Sequence, residues 1–307
     1  WCPNADIDVS RSGLRRNDML TKRFMQFLVA AIIAVTVIWA RLFLPAWDYY
    51  PPDQLVDTLE RSWLVAAGLR ELAFFVYVVV ALAMMTFFFS IVQRRWALGG
   101  AMKGLLYGTS LGVIWTLGFL TGWAFLGTTL RAEFLNCLID LIGLAAAGWA
   151  VGLVIGQDLP PAEHEVSKPW LAVVLIASGF LAAHTLGAMS FAIPFGETAD
   201  LFLRPGSSLQ YGILVALGVW AGLMFVMLRH ALPFQSVMAR SALFAFGLFG
   251  HSWMLFNLFF VIEFAGVFLT TLLTGLMGSA GVFVGIVAYE WIAGDVRPPR
   301  SQHQSDH

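Results

Sequence analysis

The chain alternates long apolar runs with short polar breaks. Runs at about 24–44, 64–92, 104–130 and 132–156 are followed by a second set at about 170–194, 210–228, 241–262 and 265–292. A helix needs roughly 20 apolar residues to cross the hydrocarbon of a bilayer, and each run reaches that length or nearly so. The breaks carry turn chemistry, as in Pro51-Pro52-Asp53, Leu159-Pro160-Pro161 and Pro205-Gly206-Ser207-Ser208. The period-two alternation of a transmembrane barrel is missing. The pattern predicts an all-α integral membrane protein of about eight transmembrane helices.

Composition agrees with that reading. The 307 residues are 59% hydrophobic and 12% charged, against roughly 25% charged residues in soluble domains, and the mean hydropathy is +0.78. So apolar a chain leaves too much greasy surface for water, whereas a bilayer supplies an apolar exterior directly. The net charge of −1 names no polyanionic partner, so nucleic-acid binding is excluded as a theme. Two cysteines, Cys2 and Cys137, make no disulfide framework.

The basic residues collect at alternate breaks. Arg15, Arg16, Lys22 and Arg23 precede the first run, Arg94, Arg95 and Lys103 follow the second, Arg229 and Arg240 flank the sixth-to-seventh turn, and Arg297 and Arg300 come last. With eight spans all of these fall on one side. The positive-inside rule makes that side cytoplasmic, with both termini there, and suggests a bacterial inner membrane. The opposite breaks are acidic, with Asp48, Asp53, Asp57 and Glu60 in one and Glu197 and Asp200 in another.

The two sets of runs share weak likenesses. Arg95-Trp96-Ala97-Leu98 closes the second run and Arg229-His230-Ala231-Leu232 the sixth; Val151-Gly152-Leu153-Val154 pairs with Val284-Gly285-Ile286-Val287. These suggest two parallel four-helix repeats, since an even number of spans returns the chain to its starting side. The expected organisation is a polar tail at 1–18, a first half at 19–157, a linker at 158–167, a second half at 168–294 and a polar tail at 295–307. Glycines recur every fourth residue at Gly104, Gly108 and Gly112 and again at Gly148, Gly152 and Gly156, while Gly275, Gly278, Gly281 and Gly285 line one side of the last run. Small residues let backbones touch where lipid offers no hydrophobic drive, so these stripes mark close helix packing within the chain.

Ionisable groups deep in hydrocarbon are costly and stand out as candidates for function. In the fourth run Glu133, Asn136 and Asp140 are spaced i, i+3, i+7, on one helix face that continues into Gly143 and Ala147. Asp140 lies roughly 12 Å below the start of its run at 1.5 Å per residue. His184 and His251 come roughly 14 and 16 Å below the same membrane surface. Both sit among small residues that leave room beside the imidazole. Asp140 could also simply be paired with Asn136 or with an arginine from the outer rim, such as Arg41, Arg70 or Arg131. Glu71, Glu263 and Glu290 lie nearer helix ends, where water relieves their charge. The chain lacks GxxxxGK[ST], HExxH, CxxC and GxSxG patterns, so nucleotide hydrolysis, zinc proteolysis, thiol redox and serine hydrolysis have no motif behind them.

Two functions fit. The first is a transporter of a small solute or cation, with Asp140, Asn136 and Glu133 binding the ion or substrate and His184 and His251 relaying or coordinating. The second is a non-catalytic integral subunit of a larger membrane complex, with His184 and His251 holding haem, another tetrapyrrole or a metal ion. A membrane enzyme acting on a lipid or quinone is the least supported.

Overall fold

The computed structural model describes residues 60–126, 130–159, 166–195 and 208–293, together with positions 28 and 32. Nearly all of them are helical. The elements are α1 (Trp63–Ala66), α2 (Arg70–Val92), α3 (Gly100–Leu126), α4 (Leu130–Ile155), α5 (Pro169–Phe195), α6 (Ser208–Leu228), α7 (Val237–Ala242), α8 (Gly250–Glu263) and α9 (Phe268–Ile292). A π-helical segment, Leu243–Leu248, joins α7 to α8 into one span. Among the described residues seven helices are long and apolar enough to cross a membrane, and no strand is formed. The protein is a polytopic helical membrane protein. The expected first span, 24–44, lies outside the described residues except for Leu28 and Ile32, as do the tails.

Two boundaries differ from the sequence reading for a backbone reason. The second run is not one helix: Gly68 takes a left-handed φ of 69° and separates α1 from α2. Gly266, at φ 73°, likewise delays α9 past Ala265. Such conformations suit glycine and stop a right-handed helix.

Glycine stripes set the closest packing. A Cβ built on Gly104 would lie 2.1 Å from the Gly148 carbonyl, and one on Gly148 would lie 2.3 Å from the Gly104 carbonyl. Gly100, Gly108, Gly152 and Gly156 extend this seam between α3 and α4. A second seam joins α5 to α9, where a Cβ on Gly179 would meet the Gly281 carbonyl at 2.4 Å. Backbone-to-backbone approach of this kind replaces the hydrophobic drive that lipid cannot supply. Both seams lie inside one chain, as the sequence reading expected.

The helices differ in how enclosed they are. Only 22% of the α2 span is buried, against 67% of Val237–Glu263. So α2 is peripheral and α8 central. The two meet through Phe74 and Phe259, with ring centroids 5.0 Å apart, and through the Tyr77 hydroxyl, which donates to the Leu255 carbonyl at 2.5 Å. On α4 the exposed residues Phe134, Leu138, Ile142 and Trp149 form the outward stripe opposite the polar one.

Polar clamps close both ends of the bundle. At one end Arg70 Nε donates to Glu263 Oε1 at 2.7 Å, and Ser62 Oγ donates to the Ile262 carbonyl at 2.5 Å. At the other, Lys103 Nζ donates to the Gln93 and Gln157 carbonyls at 2.8 and 2.5 Å. Asp158 accepts from Gly100 N–H at 2.6 Å. The ammonium thus sits at two helix C-termini and the carboxylate at a helix N-terminus, each complementing the local dipole. This corrects the reading of Lys103 as a solvated topology signal: it is fully buried. Glu290 is a second correction. It is fully buried rather than relieved by water, and it accepts from Arg229 Nε and Nη2 at 3.1 and 3.2 Å and from Arg240 Nη2 at 3.0 Å. Glu263 is buried too and paired rather than solvated.

Candidate functional site

The polar face of α4 is turned inward. Glu133, Asn136 and Asp140 are 5%, 2% and 3% exposed, and Gly143 and Ala147 below them are buried as well. Helical spacing aligns them, and the outward apolar stripe of the same helix fixes their direction. Asp140 borders a narrow recess formed by Phe74, Tyr77, Val78, Ala81 and Leu82 of α2, Trp115 of α3 and Leu144 of α4. Its lining is apolar apart from the Asp140 carboxyl, the Tyr77 hydroxyl and the Trp115 indole N–H. That indole is already committed, donating to Ser252 Oγ at 3.0 Å.

The histidines have other neighbours. His251 packs on Phe88 of α2, with ring centroids 4.9 Å apart, and its Nδ1 lies 2.5 Å from the Gly247 carbonyl in the π-helical segment. Since a carbonyl only accepts, Nδ1 carries the proton and a neutral ring leaves Nε2 as the acceptor. His184 of α5 packs instead on Phe180 and on Trp253, at 4.8 and 5.9 Å between centroids. Trp253 follows His251 by two residues, roughly 200° around α8, so the two imidazoles meet different faces of that helix. The room left by small residues is thus filled by aromatic rings and by close helix neighbours: a Cβ on Gly281 would lie 2.7 Å from the Ala183 Cβ.

The structure therefore brings Glu133, Asn136 and Asp140 together on one face and places His184 and His251 in separate aromatic settings. Asp140 and Trp115 border the same recess, and Trp115 donates to Ser252, the residue after His251. Among the described residues no group of three or more His, Cys, Asp or Glu side chains is placed to hold a metal ion.

Three features escaped the sequence reading. One is the Arg229–Glu290–Arg240 cluster. Another is the π-helical segment beside His251, where the N–H of Phe249 reaches the Phe244 carbonyl five residues back at 2.9 Å. The third is a set of buried polar atoms: His184 Nε2, Trp253 Nε1 and Tyr107 Oη have no hydrogen-bond partner among the described residues. Gly247 and Gly250 hinted at the second, and the others had no local signature. No family model, curated protein sequence or solved structure matches the chain.

Proposed function

We propose that this membrane protein moves a small cation, or a solute coupled to protons, with Asp140 as the group that binds the charge. The observation that carries the reading is the buried stripe of Glu133, Asn136 and Asp140, which ends at the recess between α2 and α4. Two acids and an amide on one inward face are expensive in hydrocarbon, and such groups usually mark an ion or substrate pathway. Asp140, the deepest of the three, exchanges the ion or proton; Asn136 supplies a neutral ligand one turn above it; Glu133 sets the field nearest the surface. The π-helical segment supports the reading, because a register change inside a span is a common device at functional sites. The two-repeat organisation and the cytoplasmic placement of both termini belong to the same proposal. His184 and His251 are left out of the pathway, since neither borders the recess.

The subunit reading, with a tetrapyrrole between His184 and His251, has less behind it, because the rings pack on separate sides of α8. A Soret band in the purified protein would revive it.

The test uses proteoliposomes loaded with a pH-sensitive dye and given imposed H⁺, Na⁺ or K⁺ gradients. Flux under at least one gradient, abolished in Asp140→Asn and unchanged in Arg131→Gln, supports the reading. A wild-type protein that passes none of these ions, or an Asp140→Asn variant as active as wild type, overturns it.

A further inference from the structure

Two guanidinium groups meet one carboxylate at Glu290, and the second of them is only partly answered. Arg229 engages both oxygens, Nε to Oε1 at 3.1 Å and Nη2 to Oε2 at 3.2 Å. Arg240 adds a single bond, Nη2 to Oε2 at 3.0 Å, and its buried Nε has no acceptor among the described residues. We propose that Arg240 binds the phosphate of an anionic phospholipid, whose acyl chains lie along the seam between α9 and the span formed by α7 and its π-helical continuation. The site lies outside the α4 stripe and does not depend on the transport reading.

Charge calls for an anion here. One carboxylate already held at both oxygens does not neutralise a second cation, and enclosed charge without a counter-charge is expensive. The planar fork of arginine matches phosphate oxygens in particular. Access is open, since 19% of the Arg240 side chain is exposed. An oxyanion entering at that open part supplies the acceptor that Nε lacks.

Depth selects a lipid over a free ion. Glu290 and Phe283 are seven residues apart, two turns along one face of α9. Arg240 meets the first, and Phe246 of the π-helical segment meets the second with ring centroids 6.0 Å apart. The ring pair thus lies roughly 10 Å below the cation at 1.5 Å per residue. A headgroup layer is roughly 5–8 Å thick on each side of a bilayer, so a phosphate at Arg240 sets the rings among the acyl chains. That strip is open to them: Phe246 is 41% exposed, and Val284 beside Phe283 is 60% exposed. Arg94 and Arg95 are exposed at the same end, and Arg95 Nη1 donates at 2.7 Å to the Pro233 carbonyl in the connection leading to α7. They add to the field that draws anionic headgroups, and basic pockets between membrane helices recognise lipids in this way.

Thermal unfolding of the full chain in a neutral detergent tests the site, with phosphatidylglycerol, phosphatidylcholine or inorganic phosphate added. Phosphatidylglycerol should raise the unfolding temperature by several degrees, and the other two by less than a third of that shift. Native mass spectrometry should show one phosphatidylglycerol retained per chain. Arg240→Gln should lose more than half of the shift, whereas Arg94→Gln, which removes an exposed cation from the same surface, should keep it. Should Arg240→Gln fail to fold, Arg240→Lys takes its place; it keeps the charge without the fork and should also lose at least half of the shift. Equal shifts from the two lipids would overturn the proposal, as would a full shift in either Arg240 variant. An inorganic phosphate shift as large as that of phosphatidylglycerol would make the site one for a free anion and overturn the lipid assignment. Ion flux is not a readout, so this site and the transport reading can fail independently.

Discussion

A buried side chain is costly or harmless according to whether its polar atoms are answered, and two residues here sit at the extremes. Glu290 is answered by two arginines while almost wholly enclosed, with Arg229 8% exposed beside it. Removing its charge leaves both guanidinium groups facing a neutral amide. Breaking a buried pair in this way costs about 3–5 kcal/mol, so Glu290→Gln should unfold at a markedly lower temperature in detergent. The Arg70–Glu263 clamp makes the contrast. Arg70 and Arg61 are 42% and 46% exposed, water screens them, and Glu263→Gln should cost no more than about 1 kcal/mol. Equal losses for the two variants would show that enclosure does not govern these pairs. Trp253 is the opposite case: its indole N–H is buried with nothing to donate to among the described residues. An unsatisfied donor carries a penalty of about 1–3 kcal/mol, which offsets the packing lost when the indole is trimmed. Trp253→Phe should therefore be neutral or stabilising by thermal unfolding, unlike most large-to-small changes in a core. None of these pairings could be read from the sequence, because Glu290 meets partners 61 and 50 residues away, and proximity to a helix end is a poor guide to solvation.

At the scale of elements, glycine is where the sequence speaks most directly. A four-residue spacing puts Gly104 and Gly108 on one strip of α3 and Gly148 and Gly152 on one strip of α4, and the two strips face each other across backbone contact. Adding a methyl group at Gly104 would place it 2.1 Å from a carbonyl oxygen that cannot move without its helix. Gly104→Ala and Gly148→Ala should each destabilise by about 1–3 kcal/mol through overpacking. Gly212→Ala is the control, since open space surrounds that position, and it should leave the unfolding temperature unchanged or raise it slightly. The inward polar face of α4 was legible for a similar reason: Glu133, Asn136 and Asp140 fall on one side by spacing alone, and burial follows from the cost of lipid exposure. The π-helical segment was not. One displaced backbone hydrogen bond changes the register of Leu243–Leu248 without disturbing an apolar pattern that satisfies either helix. The same limit hid the separation of the histidines, because equal depth in a membrane says nothing about angular position around the bundle axis.

For the whole molecule, the side on which each loop lies follows from counting. The described spans begin with α2 and end with α9, and an odd number of crossings leaves the two ends of that stretch on opposite surfaces. The N-terminal tail and the C-terminal tail share a side only if 24–44 also crosses. The positive-inside rule predicts which side that is. Lys103 and Arg229 are buried and engaged within the protein, so they no longer count as solvated signals, but Arg94 and Arg95 between α2 and α3 remain exposed. They lie at the surface shared by Arg240 and by the end of α9, opposite the surface bearing Trp63, which is 71% exposed as an interfacial aromatic would be. Single cysteines at Arg94→Cys and Trp63→Cys, in a chain without its native cysteines, should then label differently with an impermeant maleimide. The Trp63 position should react in intact cells and the Arg94 position only after the membrane is opened. If 24–44 crosses as the sequence reading expects, a cysteine at Gln26→Cys should behave like Arg94. Labelling of Gln26→Cys from outside while Arg94→Cys stays protected would remove the first crossing while leaving the seven described spans in place.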